Sequence, residues 1–181
     1  ILGYPVGARP AQHREIFEYF HALADASPRA KYQAYAHSHE GRELGVLYVG
    51  SAENIARLDE IQGALARISD PRGFADDERS QLLEENHAIC WMAYTIHGDE
   101  LSGSDAALAL AYRLVAGKGA EIEAIRDSLV VIIDPLQNPD GRDRFVTQMR
   151  SLNGKIPNPD TQSLNHEGVW PWGRSNHYFF D

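Results

Sequence analysis

A histidine and a glutamate three residues apart, His97 and Glu100, are the side chains of this sequence best suited to metal chemistry. A neutral imidazole and a carboxylate are both good zinc ligands, and a catalytic zinc needs three protein ligands and an open position for water. Gly98 lets the chain turn tightly between them, and Glu100 is placed to begin a helix. The spacing alone is a weak signal, because a helix N-terminal cap beside a surface histidine produces the same pattern.

Two apolar runs predict how this pair is positioned. Residues 88–96 and 129–133 are each continuously apolar, as expected of strands buried on both faces, and residues 104–115 between them have helical composition. Ligand sites in open α/β sheets lie at the carboxyl ends of strands, where His97 and Glu100 would emerge. We therefore predict an α/β fold with a mixed, largely buried central sheet flanked by helices, in which the two runs are adjacent central strands.

The other elements predict one domain over residues 1–181. Apolar spacing predicts helices over residues 11–26 and 54–68, and residues 121–127 suit a further helix. Two β-prone runs, residues 32–37 and 44–49, predict a hairpin.

Residues 138–141, Asn-Pro-Asp-Gly, predict a sharp turn after the second apolar run, since Pro139 fixes φ and Gly141 accepts a left-handed conformation. From Gln148 onward the chain lacks periodicity, so no helix or strand is predicted there. The aromatic residues of that stretch are interpreted as covering a core edge, with a substrate channel as the alternative: Trp170, Trp172, Tyr178, Phe179 and Phe180.

Four segments match, in order, the motifs of one known family. Residues 94–103 (YTIHGDELSG) resemble a zinc-binding segment, and residues 37–44 (HSHEGREL) resemble an S-x-E-G-R-x-L/I hairpin. Residues 134–141 (DPLQNPDG) resemble an Asn-Pro-Asp-Gly turn, and residues 178–181 (YFFD) resemble the lead-in to a D-x-N-R motif. These are motifs of the metallocarboxypeptidases, the M14 peptidases. The chain is similar to the N-terminal part of their catalytic domain, which is incomplete here.

The resemblance implies a zinc-dependent hydrolase that removes C-terminal residues from peptides. In the family, zinc is held by the residues matching His97 and Glu100 and by a second histidine far downstream, and a late glutamate is the general base. An arginine after the turn polarises the scissile carbonyl; Arg150 is the first choice for it here and Arg174 is the alternative. No position matches the third ligand, the base or the Asn-Arg pair that binds the substrate carboxylate, and no substrate-binding residue is assigned.

Two histidines follow Glu100, His166 and His177. Both precede the place of the family's third ligand, so they are interpreted as loop residues, with an improvised third ligand as the alternative. Zinc held by two protein ligands would bind weakly. The chain 1–181 alone is therefore expected to be a poor catalyst.

Two other classes of function stay open. N-acyl amino acid deacylases and cell-wall peptide amidases of the same superfamily also contain His-Gly-Asp-Glu, and a non-catalytic domain that kept the fold is the second alternative. The hairpin and turn matches favour a peptidase. The expected substrate is a peptide or a peptide-like molecule.

Composition excludes some partners. The net charge of −9 and the lack of a basic stripe argue against a nucleic acid, and no apolar run approaches the roughly 20 residues that span a bilayer. The single cysteine, Cys90, lies in an apolar run and is expected to be a small core residue. The missing initiator Met slightly favours a secreted or periplasmic protein that has lost a targeting segment, but localisation stays unknown.

Overall fold

The computed structural model describes residues 1–70, 72–73, 75–153, 156 and 158–163. The helices of this part are α1 (His13–Ala26), α2 (Ala52–Ala56), α3 (Leu58–Ser69), α4 (Asp76–Glu85), α5 (Leu101–Ala116), α6 (Ala120–Ser128) and α7 (Pro139–Leu152). The strands are β1 (Ala30–His37), β2 (Glu43–Val49), β3 (Ala88–Ala93) and β4 (Leu129–Asp134). This α/β architecture confirms the predicted fold class.

The four strands form one mixed sheet in the order β1-β2-β4-β3. β1 and β2 pair antiparallel as the predicted hairpin, and β2 pairs antiparallel with β4. β3 and β4 run parallel, with Ala93 opposite Asp134. Parallel strands need a crossover, which α5 and α6 provide. The carboxyl ends of β3 and β4 therefore meet at the same end of the sheet.

Helices α1 and α5 pack on one face of the sheet and bury the main core. Ile16 and Phe20 of α1 are fully buried, because apolar side chains recur on one side of this helix. Leu108 of α5 and Ile133 of β4 belong to the same cluster. Burial of side chains of this size contributes roughly 1.5–3 kcal/mol each. The core thereby fixes α5, the helix that begins directly after Glu100.

The opposite face of the sheet carries an open hollow of about 400 Å³. Side chains alternate along β4, so that Val131 and Ile133 belong to the core whereas Ile132 lines the hollow. Tyr35 of β1 and Trp91 of β3 line it as well.

In the part of the chain that the structure describes, strand β3 lies at an edge of the sheet, so for that part the prediction of a central strand over residues 88–96 is wrong. It ends at Ala93, and among the described residues it pairs with β4 alone. The Trp91 side chain is 65% exposed, and Cys90 is exposed and not a core residue. An apolar run indicates that a strand suits burial but not which element covers it. The prediction that the two apolar runs are adjacent strands is confirmed.

Residues 138–141 start helix α7, where the sequence predicts a turn. The Asn138 side chain accepts a hydrogen bond from the Gly141 backbone N–H (2.9 Å) and caps the helix, while Pro139 occupies its first position. Gly141 is helical, so its predicted left-handed conformation is wrong. Asn-Pro is also a helix start signal, and α7 continues through Gln148 to Leu152.

The remaining helices agree in part with the predictions. Helices α1, α5 and α6 confirm the predicted helical segments, and the segment 54–68 divides at Arg57 into α2 and α3. Helix α4 was not predicted, because its two leucines, Leu82 and Leu83, are adjacent and give no helical period. Among the described residues, no helix is both long and apolar enough to cross a bilayer.

Candidate metal centre

The loop after β3 is attached to the segment after β4 by backbone hydrogen bonds. Tyr94 N–H donates to Asp134 O (2.9 Å), and Gln137 N–H donates back to Tyr94 O (3.0 Å). Asn138 N–H then donates to Thr95 O (3.1 Å). The Asn-Pro-Asp-Gly segment therefore holds the chain two residues before His97.

His97 and Glu100 converge at the end of this loop. His97 Nδ1 lies 3.2 Å from Glu100 Oε1, and the Glu100 backbone N–H donates to His97 O (3.1 Å) to close the turn. The His97 side chain is 16% exposed with a buried Nε2, and the Glu100 side chain is 54% exposed. One imidazole nitrogen and one carboxylate oxygen are thus in direct contact near the surface.

The geometry does not fit the capping interpretation of the same motif. Glu100 occupies the N-cap position of α5, but its side chain makes no capping hydrogen bond. Its carboxylate is directed toward His97, which is mostly buried.

The distance between the two donor atoms is that of a hydrogen bond and is also compatible with a shared metal ion. Zinc bonds of about 2.0–2.2 Å to nitrogen and oxygen place neighbouring donors of a tetrahedral shell roughly 3.4 Å apart. The 3.2 Å between Nδ1 and Oε1 is close to that spacing. In the described part of the chain, no group of three or more His, Cys, Asp or Glu side chains could hold a metal ion. His166 and His177, the later histidines, lie outside the described residues.

The hairpin motif contacts the Asn-Pro-Asp-Gly motif directly. The Ser38 hydroxyl (2.6 Å), the Glu40 backbone N–H (3.2 Å) and the Arg42 guanidinium (2.7 Å) all donate to the Asp140 carboxylate. Arg42 also donates to Asp143 (3.0 Å) and pairs with Glu40. These contacts position the N-terminus of α7.

The contacts within this network favour the ionised forms of Asp140 and Arg42. Burial raises the pKa of the Asp140 carboxyl, but the hydrogen bonds from Ser38 and Arg42 outweigh burial, and the pKa lies below its usual range. Burial works against the charge of Arg42, yet its carboxylate partners raise its pKa above the ordinary value. The sequence assigned Glu40 and Arg42 to hairpin chemistry but gave no sign of their partner on α7.

The arginines that follow the Asn-Pro-Asp-Gly segment lie in different environments. Arg142 is fully buried and donates to Ala11 O (2.9 Å), Leu101 O (2.8 Å) and Asp105 (3.1 Å), so it is a structural residue and not a substrate contact. Burial lowers its pKa, an effect that Asp105 opposes.

The structure does not bring Arg150 together with the two candidate ligands. Arg150 donates to Pro10 O (2.8 Å) and lies 3.5 Å from Glu15. It is eleven residues along α7 from Pro139, which corresponds to roughly 16 Å of helix. Its proposed role at the scissile carbonyl stays a prediction, and its alternative, Arg174, lies outside the described residues, as does the aromatic group 170–180.

Asp134 is a buried carboxyl at the end of β4, and the sequence pattern does not predict its burial. Its Oδ2 accepts from the Tyr35 hydroxyl (3.2 Å) and from Gln137 (3.5 Å), whereas Oδ1 has no hydrogen-bond partner among the described residues. Burial is the main cause that raises the pKa of Asp134. Burial likewise raises the pKa of Tyr35 to about 12, with the Asp134 charge adding to the effect.

A family model described as "Zinc carboxypeptidase" matches residues 16–178. No curated protein matches the chain. Among solved structures, the chain resembles carboxypeptidase A from Helicoverpa armigera, with 19% identity and a TM-score of 0.54 over 75% of this chain and 26% of that one. It also resembles a metallo-carboxypeptidase from Burkholderia cenocepacia, with 18% identity and a TM-score of 0.51 over 74% of this chain and 28% of that one. The chain therefore spans about a quarter of the length of these structures.

Proposed function

The chain belongs to the zinc carboxypeptidase family, and from this premise we propose that His97 and Glu100 are zinc ligands of a hydrolase that removes C-terminal residues from peptides. The observation that carries the proposal is the 3.2 Å approach of His97 Nδ1 to Glu100 Oε1, which is close to the donor spacing of a zinc shell.

The two side chains would hold the metal in complementary ways. When bound, zinc would act as a Lewis acid that polarises a carbonyl oxygen and lowers the pKa of the water bound to it. His97 presents Nδ1 to Glu100, while its Nε2 is buried. Nδ1 and Oε1 lie within hydrogen-bond distance of each other. Glu100 adds a negative charge at the N-terminus of α5, where the helix dipole favours it.

The remaining catalytic groups are proposed to lie outside the described residues. This proposal agrees with the expectation that residues 1–181 are the N-terminal part of one catalytic domain. It also agrees with the finding that the chain spans about a quarter of the length of the related structures. A third ligand and a general base would complete the site there. The substrate is proposed to be a peptide or a peptide-like molecule.

Hydrolysis by the protein that contains this chain tests the proposal. Release of the C-terminal residue from an N-blocked dipeptide should fall at least about 10³-fold in kcat/KM in His97→Ala, because several kcal/mol of metal assistance are lost. His87→Ala, which alters the histidine before β3, is the matched control and should keep the wild-type rate. Equal rates in the His97→Ala variant and the wild type would contradict the proposal.

The same assay tests the carbonyl-polarising role predicted for Arg150. Loss of such a donor typically lowers kcat about 10²–10³-fold, and Arg150→Ala should show this decrease. A normal kcat with reduced thermal stability would assign Arg150 to its contacts with Pro10 and Glu15.

A further inference from the structure

We propose that Thr95 is a positioning residue, which holds Glu100 in the orientation for metal binding through its hydroxyl and tolerates a strained backbone in order to do so. The inference rests on the proposed zinc site at His97 and Glu100. The Thr95 hydroxyl contacts the backbone of Glu100 and not a reacting atom, so its action on the site is indirect.

The backbone of Thr95 is strained. Its φ is +56°, and it is the one non-glycine residue in the described part of the chain with a positive φ. A β-branched side chain is a genuine outlier in this region, whereas glycine adopts it freely. Such strain persists only where the surrounding structure over-determines it, and it concentrates at functional sites. A threonine here must therefore provide an interaction that glycine lacks.

That interaction is a pair of hydrogen bonds, one to Glu100 at the end of the loop that carries the candidate ligands and one to Ser104 in α5. The buried Thr95 hydroxyl donates to the backbone carbonyl oxygen of Glu100 (3.3 Å) and accepts from the Ser104 hydroxyl of α5 (2.8 Å). Ser104 Oγ also lies 2.7 Å from Pro135 O, and Thr95 O accepts from Asn138 N–H. Thr95 thus connects the end of β3 with the start of α5 through its side chain, and with the segment after β4 through its backbone carbonyl.

The first turn of α5 is packed closely against this hydroxyl. A Cβ built on Gly103 would lie 3.0 Å from Thr95 Oγ1, so a side chain there would press on Thr95. Glu100 immediately precedes α5, and its carbonyl is the group that Thr95 holds. Without the hydroxyl, the loop would keep its backbone hydrogen bonds to the segment after β4, and the turn from His97 to Glu100 would keep its own. It would lose the side-chain contact that holds the Glu100 carbonyl. The two donor atoms would then be less often at the spacing that a metal requires.

Zinc titration of the metal-free chain by calorimetry, together with its thermal unfolding, tests this role. Thr95→Gly should bind zinc about 10-fold more weakly, as is typical when residues that orient metal ligands are removed. Its melting temperature without metal should not fall, because release of backbone strain offsets the lost hydroxyl contacts. Thr95→Ser keeps the hydroxyl and should keep the wild-type affinity.

Ser104→Ala removes the donor to Thr95 without altering the strained residue, and it should also weaken zinc binding. This second variant decides the matter should Thr95→Gly not fold. Wild-type zinc affinity in either Thr95→Gly or Ser104→Ala would overturn the proposal, and so would a Thr95→Gly chain that loses thermal stability and affinity together.

His97→Ala separates this inference from the proposed function. Zinc affinity that does not change in His97→Ala would mean that the proposed zinc site itself is wrong. Weakened binding in His97→Ala with normal binding in Thr95→Gly would overturn the positioning role alone.

Discussion

The Arg42 guanidinium donates a 2.7 Å hydrogen bond to the Asp140 carboxylate, across a sequence separation of 98 residues. Arg42 lies between β1 and β2, and Asp140 lies in the first turn of α7. Asn138, which caps the same helix, donates its backbone N–H to Thr95. The hairpin motif is thereby connected through α7 to the loop that carries His97, although it lies far from that loop in sequence.

Replacement of Arg42 by alanine should destabilise the chain by about 2–3 kcal/mol, because it leaves the nearly buried Asp140 carboxylate without its ionic partner. Chemical denaturation at pH 7 measures this change. Arg14→Ala, which breaks the exposed ion pair with Glu18, is the control and should leave stability unchanged. Equal stability of Arg42→Ala and Arg14→Ala would show that the network has no structural role.

Asp134→Asn should stabilise the chain at pH 7 by about 1 kcal/mol, because a buried carboxylate with an unpartnered oxygen opposes folding. The folded-state pKa of Asp134 is raised, so this cost is present above the folded pKa and disappears as the pH falls below the unfolded value of about 3.9. Denaturation at pH 7 and near pH 4 should therefore show a gain that shrinks with acid. Glu123→Gln on the exposed side of α6 should show no such gain, and a destabilised Asp134→Asn at pH 7 would contradict the assignment.

Cys90 should react readily with a thiol reagent in the folded chain, because it is exposed on β3, which lies at the edge of the sheet among the described residues. The chain contains one cysteine, so the reaction should reach one thiol per molecule without denaturant. A thiol that reacts only after unfolding would restore the sequence-based prediction that Cys90 is a core residue.

Arg142→Lys should lower the free energy of unfolding by about 2–4 kcal/mol. A lysine ammonium cannot reproduce the fork that reaches Ala11 O, Leu101 O and Asp105 at once. Arg113→Lys on the exposed side of α5 is the control. Thermal unfolding that is equal for Arg142→Lys and the control would mean that Arg142 does not hold these segments together.

The sequence was sufficient for features that depend on local pattern. The helix α1, the hairpin β1–β2 and the adjacency of β3 and β4 followed from apolar spacing and from the order strand, helix, strand. The edge position of β3 did not, because an apolar run contains no information on which elements cover it. Asn138 begins helix α7 and not the predicted turn, since Asn-Pro is a signal for both structures.

In the candidate site, too, the residues with a local pattern were predictable from the sequence, whereas the long-range contacts were not. His97 and Glu100 were identified from residue type, spacing and family resemblance, whereas the contact between Arg42 and Asp140 spans too many residues for spacing to indicate it. The positive φ of Thr95 was also not predictable, because threonine is among the residues least suited to it.

Zinc binding by the chain, measured by equilibrium dialysis and metal analysis, tests the central claim that His97 and Glu100 share one metal ion. The wild-type chain should bind zinc weakly, because two protein ligands leave the shell incomplete, and a mild chelator should remove it. His97→Ala and Glu100→Ala should each abolish this binding, whereas His87→Ala should keep it. Zinc binding that is the same in His97→Ala, Glu100→Ala and the wild type would contradict the account.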